Sequence, residues 1–183
     1  MDFYNQLLAQ KLSGGGGGGG DKYAAFKALV DDSLTEVTAE MLDGITKIGD
    51  AAFSECRNLT SVTIPNSVTL IERNAFRTCD KLESVTIPNS VTSIGDSAFA
   101  YCDVLENMTI PGNTSIGTLA FSTCYKFSSL TMLSTTPPGF GVAVFQSINP
   151  LPTIYVPAES VDAYKSASGW SYYANQIQAI PIG

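Results

Sequence analysis

Ser61–Thr69 reads SVTIPNSVT, and Ser84–Thr92 repeats it letter for letter. Aligning outward from this pair gives four units, beginning at Ile48, Ile71, Ile94 and Ile116, at intervals of 23, 23 and 22 residues. Each place in the unit keeps its character. Alanine stands at Ala52, Ala75, Ala98 and Ala120, and phenylalanine follows at Phe53, Phe76, Phe99 and Phe121. Cysteine recurs at Cys56, Cys79, Cys102 and Cys124. Leu59, Leu82, Leu105 and Phe127 come next, then Val62, Val85, Met108 and Leu130. Ile64, Ile87, Ile110 and Met132 close the run, with Pro65, Pro88 and Pro111 directly after. A looser copy lies upstream at Leu34, Val37 and Ala39, its spacing to Ile48 two residues longer.

A period of 20–29 residues around L-x-x-L-x-L is the signature of a leucine-rich repeat. Val62 and Ile64 have strand period, so both point inward while Thr63 points out. Pro65 lacks an N–H donor and ends the strand. Gly49–Phe53 and Gly95–Phe99 then turn the chain back, with small alanine allowing close approach and phenylalanine filling the middle of the coil. A single coil cannot bury its own apolar edge, so neighbours must stack, and like residues become ladders about 5 Å per step. The expected fold is a β-rich α/β solenoid, a leucine-rich repeat with short parallel strands, an N-terminal helical cap and a C-terminal cap.

The chain has 183 residues, of which 44% are hydrophobic and 15% charged, and its net charge is −7. This balance argues against a nucleic-acid or anionic-membrane binder, which needs clustered Lys and Arg. Histidine is absent, which removes His-based triads, His-ligated zinc and histidine pH switching. No stretch approaches the ~18 apolar residues of a membrane span. The first residues lack the basic and apolar regions of a secretory signal. The expected setting is extracellular, at a cell surface or on a virion, with the cytoplasm as the alternative.

The repeats resemble the BspA-like, treponemal-type leucine-rich repeats, whose pattern runs roughly C-x-x-L-x-x-V/I-x-I-P-x-x-V-x-x-I-G-x-x-A-F. Cys56–Phe76 and Cys79–Phe99 follow it almost throughout, except that Glu72 stands where the family prefers glycine. The third unit is one residue short at Gly112–Ser115 and has no apolar counterpart of Val68 and Val91. Pro137–Gly139, Ile154–Pro157, Val161–Lys165 and Gly169–Trp170 resemble the closing segment of that family. The resemblance implies a binding or adhesion module, often on bacterial or protist surfaces, without catalysis. A short helix and polyglycine before the repeats is similar to the starts of some phage or prophage minor structural proteins.

Four segments are expected. Residues 1–20 form a short helix, with Phe3, Leu7, Leu8 and Leu12 at helical spacing, and a tether of seven glycines from Gly14 to Gly20. Residues 21–47 form an N-terminal cap, with Asp21 capping a helix to about Val30, and a degenerate first repeat. Residues 48–132 carry the four repeats and 133–183 a C-terminal cap.

The four cysteines fall on a line in stacked coils, spanning roughly 15 Å, whereas zinc needs its sulfurs about 2.3 Å from one point. They are expected to pack as free buried thiols, although adjacent rungs could meet disulfide geometry. Asn66, Asn89 and Asn113 are expected to serve turns. The sequons at Asn58, Asn107 and Asn113 are read as chance. Glu83 and Glu106 share a repeat position on a solvated face and do not mark an acid–base pair. Trp170, Tyr172 and Tyr173 are expected to cover the last coil. No metal or cofactor is called for.

The outward strand face remains. Thr60, Ser61 and Thr63 project there, followed by Glu83, Ser84 and Thr86, then Glu106, Asn107 and Thr109, then Ser128, Ser129 and Thr131. This face is small, polar and mildly acidic, and its binding would depend on avidity. The expected function is non-catalytic recognition or adhesion, with a protein or glycan partner met through this face. The alternative is a structural part of a phage or prophage particle, held to other subunits through residues 1–12.

Overall fold

The structure, a computed structural model, describes residues 34–182. The N-terminal helix, the glycine tether and the helical cap expected before Leu34 lie outside the described residues.

The strands are short, as the prolines dictate, and each coil contributes two. On the first wall lie β1 (Glu36–Val37), β3 (Ser61–Thr63), β5 (Ser84–Thr86), β7 (Asn107–Ile110) and β9 (Ser129–Met132). The second wall carries β2 (Lys47–Ile48), β4 (Leu70–Ile71), β6 (Ser93–Ile94) and β8 (Ser115–Ile116). Pairing is parallel and in register with the repeat: Val62 faces Val85, Ile48 faces Ile71, and Ile94 faces Ile116. Sheet order on the second wall is β2-β4-β6-β8, and Ile116 bridges onward to Phe140.

A third wall, the arc from the glycine column to the cysteine column, is not built of β-strands. Its backbone carries paired residues with positive φ: Ala51 and Glu55, Asn74 and Thr78, Ser97 and Tyr101, Leu119 and Thr123, Ala143 and Ser147. Through Thr123, every one of these residues sends its N–H to the next coil, as in Ala51 to the Arg73 carbonyl (2.9 Å), Tyr101 to Ser122 (2.9 Å) and Thr123 to Gln146 (2.8 Å). The left-handed flip turns the peptide N–H along the solenoid axis. Each flip costs about 1–2 kcal/mol, and the inter-coil hydrogen bond offsets that strain.

The interior is dry and laddered. Phe53, Phe76, Phe99 and Phe121 are fully buried. Their rings stack nearly parallel at 5.2, 5.2 and 5.7 Å. Cys79, Cys102 and Cys124 are buried, and their Sγ atoms donate to the carbonyls of Phe53 (3.2 Å), Phe76 (3.3 Å) and Phe99 (3.0 Å). The thiols therefore form a column, one per coil. Burial pushes the thiols of Cys79 and Cys102 well above the ordinary value.

Several details differ from the sequence reading. Thr114 takes the place of Val68 and Val91. It is fully buried, and its hydroxyl is satisfied by the Val91 carbonyl at 2.6 Å. The turns after Pro65 and Pro88 are closed by backbone hydrogen bonds from Val68 and Val91, while Asn66 and Asn89 are exposed. The coil pattern also runs on past Met132. Phe140, Val144, Phe145, Ile148, Ile154 and Val156 repeat the order of inward positions, and β10 (Thr153–Val156) joins β9.

Three elements then close the three walls. β11 (Ile177–Ala179) pairs with β10. Trp170 stacks on Phe140 at 3.9 Å and donates its indole N–H to the Pro138 carbonyl at 2.7 Å. Tyr173 meets Phe145 edge-on at 5.2 Å. Helix α1 (Val161–Ser166) supplies Tyr164, whose ring packs edge-on against Trp170. Tyr172 departs from the expectation, for it is 84% exposed and covers nothing.

Candidate functional site

Strand alternation aims Val62, Met108 and Leu130 inward and leaves their neighbours on the outer wall. Thr63, Glu83, Ser84, Thr86, Glu106, Asn107, Thr109 and Ser128 are exposed, whereas Thr60, Ser61, Ser129 and Thr131 are half-buried. The register superposes Ser61 on Ser84 and Thr63 on Thr86, then Asn107 on Ser129 and Thr109 on Thr131. Two hydroxyls are committed to the wall itself. Thr60 donates to the Thr35 carbonyl at 2.8 Å, and Ser128 donates to that of Glu106 at 3.0 Å.

The wall is not one sheet. Order runs β1-β3-β5 in one and β11-β10-β9-β7 in another, so the ladder is interrupted between β5 and β7. Val85 faces that interruption and is the one residue of its column left half-buried, while Val37, Val62, Met108, Leu130 and Ile154 are buried. Thr60, Ser61, Thr63, Glu83, Ser84 and Thr86 therefore belong to the first sheet. Glu106, Asn107, Thr109, Ser128 and Thr131 belong to the second.

The structure adds a rung that the sequence reading did not place. β10 stands beside β9 with Tyr155 opposite Thr131, and Gln178 of β11 lies opposite Tyr155. The threonine column Thr63, Thr86, Thr109, Thr131 thus continues onto Tyr155 and then Gln178. The clue was present: Ile154-Tyr-Val156-Pro157 is spaced like Val62-Thr-Ile64-Pro65.

Charge is sorted between walls. The outer strand wall carries Glu36, Glu83 and Glu106 and no Lys or Arg from β1 to β11. Cations line the other walls, where they bridge successive coils: Lys47 to Glu72 at 3.1 Å, Arg57 to Asp80 at 2.8 Å, and Arg73 to Asp50 at 2.8 Å. Asp50 and Asp80 are held in this way, while burial, and then Asp80, push the Asp103 carboxyl above its ordinary value. Among the described residues no group of His, Cys, Asp and Glu is arranged to hold a metal ion. No helix of the described chain is long and apolar enough to cross a membrane.

The chain is similar to several solved structures. With the leucine-rich repeat protein of T. pallidum it shares 23% identity and a TM-score of 0.63, covering 80% of this chain and 68% of that one. With a leucine-rich repeat protein from Bacteroides ovatus the figures are 20% and 0.56, covering 81% and 43%. With the pneumococcal vaccine antigen PcpA they are 20% and 0.58, covering 81% and 42%. The chain thus spans less than half the length of the latter two. At such identities these likenesses bear on the fold. No curated protein matches the chain. The repeats themselves match the family model of the BspA type leucine rich repeat region, in six copies over residues 24–152, and with the columns and register described above this chain belongs to that family.

Proposed function

We propose that the chain is a non-catalytic recognition module that meets a protein partner on a cell surface through the outer strand wall, with Tyr155 as its anchor. The observation that carries this reading is the wall itself, hydroxyl, amide and carboxylate groups held in register within each of its two sheets, with the aromatic ring of Tyr155 beside Thr131. Tyrosine is enriched among the residues that dominate binding energy. Among the described residues this wall carries no cation, which selects against anionic glycans and nucleic acids and suits a neutral or basic protein surface. Surface presentation fits the likeness in fold to a pneumococcal vaccine antigen. The phage-particle alternative and its docking helix rest on residues 1–20, outside the described chain, and nothing in the coils favours them.

The test is capture of partners from cell-surface extracts, with purified chain and a titration of each partner found. Tyr155→Ala is expected to weaken binding more than ~10-fold. Replacing Glu83, Thr86, Glu106 and Thr109 together by alanine should weaken it further and flatten its salt dependence. Binding that none of these changes alters would discard the strand wall. A neutral glycan captured in place of a protein would discard the partner class.

A further inference from the structure

The coils that carry β5 and β7 are joined on two walls and part on the third. On the arc, Phe99 donates its N–H to the Ala120 carbonyl and Tyr101 to that of Ser122, both at 2.9 Å. On the second wall, Ser115 donates to Thr92 at 3.0 Å and Gly117 to Ile94 at 2.8 Å. The strand wall is different. Thr60 donates to the Thr35 carbonyl (2.7 Å), Glu83 to Thr60 (2.9 Å) and Ser128 to Glu106 (2.7 Å), but the Glu106 N–H makes no such bond to Glu83. Ile64 donates to Thr86 at 3.2 Å, and the Ile87 N–H has no counterpart bond to Thr109. The interior loosens at the same junction. The ring step widens from 5.2 Å between Phe76 and Phe99 to 5.7 Å between Phe99 and Phe121, and Val85 is left half-buried.

We infer that this junction is a hinge, with its axis along the bonded arc and second wall and its opening side on the strand wall. In a stacked array each coil touches only its neighbours, so stability is a sum of interface terms and the weakest interface opens first. Two local causes weaken this one. The column Thr60, Glu83, Glu106, Ser128 places two carboxylates on adjacent rungs only here, and like charges directly opposite oppose strand pairing. The flanking hydroxyls do the reverse: Thr60 donates to the Thr35 carbonyl at 2.8 Å and Ser128 to that of Glu106 at 3.0 Å. Glu106 has no hydroxyl with which to reach Glu83. Inside, the column steps from Val85 to the longer Met108. The hinge divides the wall into two plates, β1-β3-β5 and β7-β9-β10-β11. Glu83 and Thr86 ride on one, and Glu106, Thr109 and Tyr155 on the other, so a partner spanning both would meet a wall of adjustable curvature. That last consequence rests on the binding role proposed above. The hinge itself does not, and its test uses the chain without a partner.

Nuclear magnetic resonance on the full chain tests it with two readouts. In amide hydrogen exchange, corrected for neighbouring side chains, the Glu106 and Ile87 N–H groups should exchange more than ~10-fold faster than those of Glu83 and Ile64 at the equivalent places. Relaxation dispersion of methyl groups separates a moving hinge from a fixed gap, because hinge motions fall in the microsecond to millisecond range. Val85 and Met108 should show dispersion, and Val62 and Leu130 should not. Glu106→Thr removes the like charge and supplies the missing hydroxyl. It should slow exchange at its own amide and at Ile87 to the level of their neighbours and abolish the dispersion. Slow exchange at Phe99 and Tyr101 in both proteins reports that the arc is intact, so the variant's effect is read on a folded chain. Equal exchange at the four amides, fast exchange without dispersion, dispersion spread over every coil, or a Glu106→Thr variant that behaves as the parent would overturn the hinge.

Discussion

Gly95 and Glu72 occupy the same place in successive coils, and the contrast between them measures how closely coils approach. A Cβ on Gly95 would lie 2.6 Å from the Arg73 nitrogen and 2.7 Å from the Glu72 carbonyl carbon, and a Cβ on Gly117 would meet Asp96 as tightly. Glu72 is held at this place by its own contacts: Oε2 accepts the Asp50 N–H at 2.8 Å and Oε1 meets Lys47 at 3.1 Å. Gly95→Ala has no such compensation and should cost about 2 kcal/mol by overpacking, read as a lowered denaturation midpoint. Buried thiols and phenol give a second expectation. Burial raises the native values of Cys79 and Cys102, and that of Tyr164 to about 12. The native chain therefore holds these protons more tightly than the unfolded one. Their contribution to stability is complete below the ordinary thiol value of 9.0. It is lost as pH rises through the native values. Thermal midpoints should be flat near neutrality and fall progressively above about pH 9. Thiol reagents should reach Cys79 and Cys102 only on unfolding.

At the scale of the element, the strands and the core columns were legible in the sequence, because identical letters at fixed spacing become identical rungs. The arc was not. Its left-handed positions carry alanine, glutamate, asparagine, serine, threonine, tyrosine and leucine, with no glycine to betray them. Through Thr123, the inter-coil hydrogen bonds explain why such residues accept positive φ. The strand wall was half legible. Its alternation placed the outward residues, but the interruption beside Val85 leaves no mark in two letter-perfect repeats, and Tyr155 was masked by reading Ile154–Pro157 as closing segment. Ion pairs between coils contribute little here. Arg57 and Arg73 are more than half exposed, and such pairs are worth at most about 1 kcal/mol. Arg57→Gln with Arg73→Gln should leave the midpoint almost unchanged, and raising salt should do no more. A large loss would mean that the arc is held by charge rather than by its backbone.

For the whole molecule, stability is a matter of stacking and of closed ends. Each coil contacts its neighbours, and the last must be covered. Trp170 over Phe140, Tyr173 against Phe145 and β11 beside β10 together provide that cover. Gly169 makes it possible: its φ is +81, and a side chain there would strike the Phe140 carbonyl. Truncation after Pro157 should expose these rings, and the product should bind hydrophobic dyes and aggregate where the full chain does not. The charge sorting belongs to this scale as well, with acid and hydroxyl on one wall and ion-paired coils on another.

The positions of the sulfur atoms test the account most directly. In a crystal structure phased by sulfur anomalous scattering, Cys56, Cys79, Cys102 and Cys124 should appear as a row with roughly 5 Å between neighbours, flanked by a parallel stack of phenylalanine rings. Sulfurs gathered about one point, or those rings turned toward solvent, would contradict the stacked coils and the outward wall built on them.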